Sequence, residues 1–363
     1  MAVSDEQLIH WLAHEDSRVR SASLDLLSSS YSSDPRILRG VLDAWDRFGT
    51  DEAFTDFPLI SHLAICSEEM PTVIAKSREM SLGRKLTDRI CRCAGKLAEA
   101  ISVERASSFA PYLEDLRQLK DSSKIFFRVP IDTMQLRAAA LKRETSSLEL
   151  DFEDGQPSDF AIALESLWER GQADRWIREG LEAWSEPNDS TGNATGLKIT
   201  VLELASRHPV PGYEEILLDI MDREESTAAD LATIALVRAR TRRTQALIAE
   251  RFPGMAKSGQ LRSLDIIRRM RLPESSELVR FLLPYGCDAV VQNSARWCEV
   301  MLFDFGYIEE WLEAFLLLEE TSVHRLVYAI PISHPLAIER LPEDWSRIKH
   351  LLQMRLGKNY NLE

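Results

Sequence analysis

The sequence gathers arginine at three places: "LASRHP", with Arg207; "ALVRARTRR", with Arg238, Arg240, Arg242 and Arg243; and "IIRRMRLP", with Arg268, Arg269 and Arg271. A guanidinium group carries a fixed charge and five donors in a planar fork, which suits it to pairing with carboxylates or phosphates. Between positions 238 and 271 ten basic residues face only Glu250 and Asp265, in a chain of 44 Lys and Arg, 58 Asp and Glu and a formal net charge of −14. These eight arginines are therefore the candidate partner- or phosphate-binding set. A second explanation stays open, because cations at helix C-termini offset the macrodipole by roughly 0.3–1 kcal/mol each. Four arginines within the six residues 238–243 exceed that need.

Other residue types offer less. His10 and His14 stand at i, i+4, a spacing that can hold a metal, but no third ligand or HExxH order accompanies them. The five cysteines, Cys66, Cys91, Cys93, Cys287 and Cys298, contain no CxxC pair and read as reduced thiols. GxSxG, phosphate-loop and GxGxxG patterns are missing, so no catalytic residue, metal or cofactor is nominated. The eight tryptophans, among them Trp11, Trp45, Trp168 and Trp311, fall mostly on apolar stripes and are expected in the core.

The elements that position the arginines are helical. Ser4 with Gln7 forms a capping box ahead of Leu8, Ile9, Trp11 and Leu12, and Val19, Ala22, Leu26 and Leu27 trace one buried helix face. Asp34-Pro35 opens a third helix with the stripe Ile37, Leu38, Val41, Leu42 and Trp45, closed by Gly49. The pattern restarts in "GRKLTDRICRCAGKLAEAI", "SDFAIALESLWERG", "GYEEILLDIM", "SGQLRSLDIIRRM" and "IEEWLEAFLLLEE". No alternating strand series interrupts it, and an all-α chain is expected. The acidic stretch around 142–159, with Gly155 and Pro157, is the expected boundary; "SEPNDSTGNATG" (185–196) reads as a loop.

"LIHWLAHEDSRVRSASLDLL" resembles a HEAT repeat, in which a short acidic turn joins two helices before a Val-Arg pair, here Val19-Arg20. The match covers residues 5–27; elsewhere it rests on helix pairs recurring about every 30 to 35 residues. His14 stands where the family's turn often has Asp, which puts the usual Asp-to-Arg ladder in doubt. The resemblance implies an α-solenoid of stacked antiparallel helix pairs: an N-terminal array over 1–145, an acidic linker or strap over 146–159, and a C-terminal array over 160–363. In such an array equivalent helix ends align, so the three arginine clusters should converge on one edge.

The function expected is a noncatalytic protein–protein interaction scaffold, adaptor or inhibitor, with a protein partner on a solenoid surface and self-association permitted. The alternative is nucleic-acid or phosphate binding along the basic edge over 207–271, as HEAT-like DNA glycosylases illustrate, although the −14 charge weighs against nucleic acid. An enzyme or cofactor-handling HEAT-like protein ranks third. No window approaches the roughly 18 apolar residues of a membrane span, so a cytoplasmic protein without a membrane partner is expected.

Overall fold

The structure, a computed structural model, describes residues 3–32, 34–49, 52–54, 67–72, 74–75, 106–112, 114–115, 157–185, 192–223 and 227–318, with 346, 349–350 and 353–354. The segment "GRKLTDRICRCAGKLAEAI", residues 142–156, Cys66, Cys91, Cys93 and Trp345 lie outside the described residues.

Three helices open the chain, α1 (Asp5–Trp11), α2 (Ser17–Ser29) and α3 (Arg36–Phe48). The capping box forms: the Gln7 N–H donates to Ser4 Oγ at 3.3 Å, and the Ser4 N–H to Gln7 Oε1 at 3.1 Å. Asp16 caps α2 by accepting from the Arg18 N–H at 2.8 Å, and Asp34 receives the Arg36 N–H at 2.9 Å one residue ahead of Pro35. Gly49, at φ +83°, ends α3 in a conformation that side chains with a Cβ resist. The stripe Ile37, Leu38, Val41, Leu42 and Trp45 is buried throughout.

Further along follow α4 (Pro157–Glu169), α5 (Asp174–Glu182), α6 (Gly192–Arg207), α7 (Glu214–Arg223), α8 (Thr227–Ala239), α9 (Arg242–Arg251), α10 (Lys257–Met270), α11 (Ser275–Leu282), α12 (Ala289–Leu302) and α13 (Ile308–Leu316). Among the described residues there is no strand. Two boundaries differ from expectation: Pro157 already opens α4, and α6 begins inside "GNATG". The first backbone N–H groups of a helix have no intrahelical partner to lose, so loop-type residues are tolerated there.

The packing follows a regular alternation. Helices α4, α6, α8, α10 and α12 each pack on the next of that set, α5, α7, α9 and α11 do the same, and sequential helices such as α7 with α8 join the two rows. Each helix thus buries one side against its own row and another against the facing row. The continuous interior runs from Phe160 and Leu164 through Leu204, Leu236 and Ile267 to Leu302. Polar links within the row of α7, α9 and α11 and on to the start of α13 repeat at a near-constant offset: Gln245 Nε2 donates to Ser275 Oγ at 2.8 Å, Arg251 pairs with Asp219 at 2.7 Å, and the Tyr307 hydroxyl donates to Glu277 at 2.8 Å. No helix among the described residues is long and apolar enough to cross a membrane.

Candidate functional site

The ends of α2, α8, α10 and α12 share one backbone device. Tyr31, Arg240, Arg271 and Phe303 each follow a helix with φ between 49° and 52°, the left-handed position usually given to glycine. Each costs roughly 1–2 kcal/mol as a non-glycine residue. The N–H groups of Arg240 and Arg271 still close the helices by donating to Leu236 O and Ile267 O, both at 3.2 Å.

Side chains at these joints meet the beginning of the chain. Arg240 Nη1 lies 2.6 Å from Asp5 Oδ2, which also accepts from Ser32 Oγ at 3.0 Å. Arg271, only 5% exposed, donates from Nε to the Val3 carbonyl at 3.4 Å and from Nη1 to the Met301 carbonyl at 3.3 Å. The Val3 N–H donates to Leu302 O at 3.0 Å, and Val3 is fully buried. Residues 3–5 therefore lie across three successive helix ends. Burial pulls the Arg271 guanidinium down to about 10; the charge of nearby Asp5 acts the other way, against Arg268 and Arg240, without making up for the lost water.

Tyr31 does the same from the end of α2. Its ring receives the guanidinium of Arg238 at 4.9 Å and that of Arg269 at 6.0 Å, and its hydroxyl accepts from Arg269 Nη1 at 3.4 Å. Arg269 and Arg268 both pair with Asp265, the former at 2.7 Å. Arg238 makes no hydrogen bond or ion pair among the described residues: its Nε is buried without a partner. Burial pulls it down to about 10, and nearby Arg207 acts in the same direction. Arg207 turns the other way, toward Glu165 at 3.3 Å. Glu165 is fully buried and meets His208 Nε2 at 2.7 Å, while the His208 ring stacks on Trp168 at 3.5 Å.

The candidate arginines thus fall into three groups. Arg238, Arg240, Arg269 and Arg271 gather around residues 3–5 and Tyr31; Arg207 and Arg268 pair with Glu165 of α4 and Asp265 of α10; Arg242 and Arg243 face outward. The last two occupy the first turn of α9 rather than the end of α8, with Thr241 between as N-cap, its Oγ1 accepting from the Thr244 N–H at 3.2 Å. A helix N-terminus disfavours cations. Arg242 pairs with Glu274 at 3.0 Å, and Arg243 lies 3.7 Å from Glu215 and 4.0 Å from Glu214.

Asp5, Tyr31 and Val3 had escaped the sequence reading, since nothing local links them to residues more than 200 positions away. His14 is bound into its own turn, Nδ1 accepting from the Asp16 N–H at 3.0 Å, and His10 is exposed. Among the described residues no group of three His, Cys, Asp or Glu side chains is placed to hold a metal. A separate surface feature stands on the α11 side: Phe281 and Tyr285, 53% and 46% exposed, with ring centroids 5.5 Å apart.

Set against models of protein families, curated proteins and solved structures, the chain matches none of them.

Proposed function

We propose that this chain is a noncatalytic protein-interaction scaffold, an α-solenoid of HEAT-like helix pairs that binds a protein partner on its surface and works in the cytoplasm. The two rows of helices, and left-handed joints at Arg240, Arg271 and Phe303 separated by about one repeat length, support the solenoid part of the reading.

The observation that carries the binding part is the exposed aromatic pair. Phe281 and Tyr285 hold two large rings against each other in solvent, and rigid aromatics in such positions are the side chains that most often anchor protein interfaces. Affinity capture with the wild type and with a Phe281→Ser, Tyr285→Ser variant tests it. Specific partners are expected with the wild type and lost with the variant, whose helical circular dichroism should be unchanged; identical partner sets would remove the reading.

Nucleic-acid binding through the basic edge draws less support from the geometry. Arg240 and Arg271 are occupied by Asp5 and backbone carbonyls, and Arg207, Arg268 and Arg269 by Glu165 and Asp265. DNA retention over a salt series checks it, and no binding at low salt would eliminate it.

A further inference from the structure

A cleft of about 710 Å³ opens where α2 and α3 approach the end of α8, lined by Asp5, Tyr31, Pro35, Pro209, Arg238 and Arg240 among others. That volume lies within the roughly 300–1,000 Å³ of small-molecule sites. Among the described residues its charged groups are matched with one exception: Arg240 is paired with Asp5, and Arg36 with Asp34 and Glu6, whereas Arg238 meets the face of Tyr31 and no carboxylate.

An aromatic face is a weak substitute for an anion, and Arg238 is partly buried with its Nε left without a hydrogen-bond partner among the described residues. The neighbouring Arg207 adds repulsion, consistent with the lowered affinity of Arg238 for its proton. The cleft walls combine this unmatched cation with the flat apolar surfaces of Tyr31, Pro35 and Pro209. Two carboxylates, Asp5 and Asp34, also line it, so a ligand with a second anionic group beyond the one at Arg238 would meet repulsion.

We propose that this cleft binds a small molecule bearing a single oxyanion, a carboxylate or a phosphate monoester, gripped by Arg238 beside the ring of Tyr31. The ligand touches elements on both sides of the contact between the first helices and the end of α8, so its binding fastens the two together. This inference is independent of the protein-binding reading, which concerns a different surface.

The test is calorimetric titration of the full chain at constant ionic strength, with chloride as the balancing anion and inorganic phosphate, acetate and pyrophosphate as probes. Phosphate and acetate separate the two oxyanion types; saturable binding of at least one of them, one per chain, is expected. Arg238→Gln should weaken it about tenfold or more, the loss of a bidentate charge-assisted pair. Arg238→Lys, which keeps the charge but not the fork, should fall between that variant and the wild type. Arg242→Gln, altering a side chain 78% exposed, should stay within about twofold. Failure of both probes to saturate the wild type would overturn the proposal. So would wild-type affinity in Arg238→Gln or, should that variant not fold, in Arg238→Lys. Pyrophosphate binding more than about tenfold tighter than phosphate would also overturn it, by pointing to an extended polyanion surface.

Discussion

Arg240 and Asp5, 235 positions apart in the chain, form an ion pair at 2.6 Å between the joint after α8 and the first residue of α1. Both side chains are largely withdrawn from solvent, 26% and 18% exposed, so screening removes less of their attraction than it would on an open surface. The pair is one of several contacts that hold the first helices on the ends of α8, α10 and α12.

Asp5→Asn keeps the shape of the side chain while removing the charge opposite Arg240. A loss of about 1–3 kcal/mol is expected, the usual cost of a charge-assisted hydrogen bond in a partly buried site. Urea unfolding checks the magnitude. Hydrogen exchange checks the location: residues 5–31 should exchange faster while α9 and α10 stay protected. Uniform acceleration across the chain would instead mean that the contact is coupled to the whole fold.

Arg20 is 1% exposed and donates to the carbonyls of Glu15 and Glu52, at 2.8 and 2.9 Å, and to those of His14 and Ala53 as well. Its guanidinium also lies 3.8 Å from the centroid of the Phe48 ring. One side chain thereby ties the turn before α2 to the segment after α3. Arg20→Lys cannot reach four acceptors with a single ammonium, and a loss of about 3–5 kcal/mol is expected. The thermal midpoint of the full chain is the readout; an unchanged midpoint would refute the role.

Acid should weaken the turns at the starts of α2 and α3. The Arg18 side chain holds the Asp16 carboxyl below its ordinary 3.8, and the Arg36 side chain does the same for Asp34. A carboxyl whose folded value is depressed contributes stability that is complete above the ordinary value and lost as pH falls through the folded one. Asp16→Asn and Asp34→Asn should therefore be less stable than the wild type near neutrality, with the gap closing below 3.8. Denaturant midpoints across acidic buffers give the comparison.

The two described cysteines should differ in reactivity. Burial pushes the Cys298 thiol up to about 12, and its Sγ lies 3.4 Å from the Leu264 carbonyl; Cys287 is exposed. An alkylating reagent should label Cys287 in the native protein and reach Cys298 only on unfolding, because the thiolate is the reactive form. Peptide mass spectrometry after timed labelling distinguishes the two. Equal rates would mean that α12 opens readily.

The helical architecture was legible because it is written locally: the Ser4–Gln7 box, the stripe of α3 and the cationic ends of α8 and α10 are all signals within one or two turns. The recurrence of the arginine clusters was legible from their spacing, but not that Arg238, Arg240, Arg269 and Arg271 would meet residues 3–5 and Tyr31 while Arg207 pairs with Glu165 and Arg242 and Arg243 open α9. The occupant of the edge was hidden, since a Val, an Asp and a Tyr near the start of the chain carry no mark of a partner more than 200 residues on. The division of "VRARTRR" between two helices was also hidden: Thr241 is one of many threonines, and only the left-handed turn at Arg240 makes it an N-cap. Glu165, buried under Arg207 and His208, read simply as part of an amphipathic helix.

The contact of Val3 with Leu302 also has a meaning in time. During synthesis at roughly 5–20 residues per second, the partner of Val3 is made about 15–60 s after Val3 itself. For about the first four-fifths of that interval α1 and α2 have neither Arg240 nor Arg271 to rest on. Assembly of this edge therefore waits on residues made long after it begins: a ribosome stalled before residue 238 would display Asp5 and Tyr31 without their arginines, and one stalled before residue 302 would leave Val3 without its Leu302 acceptor.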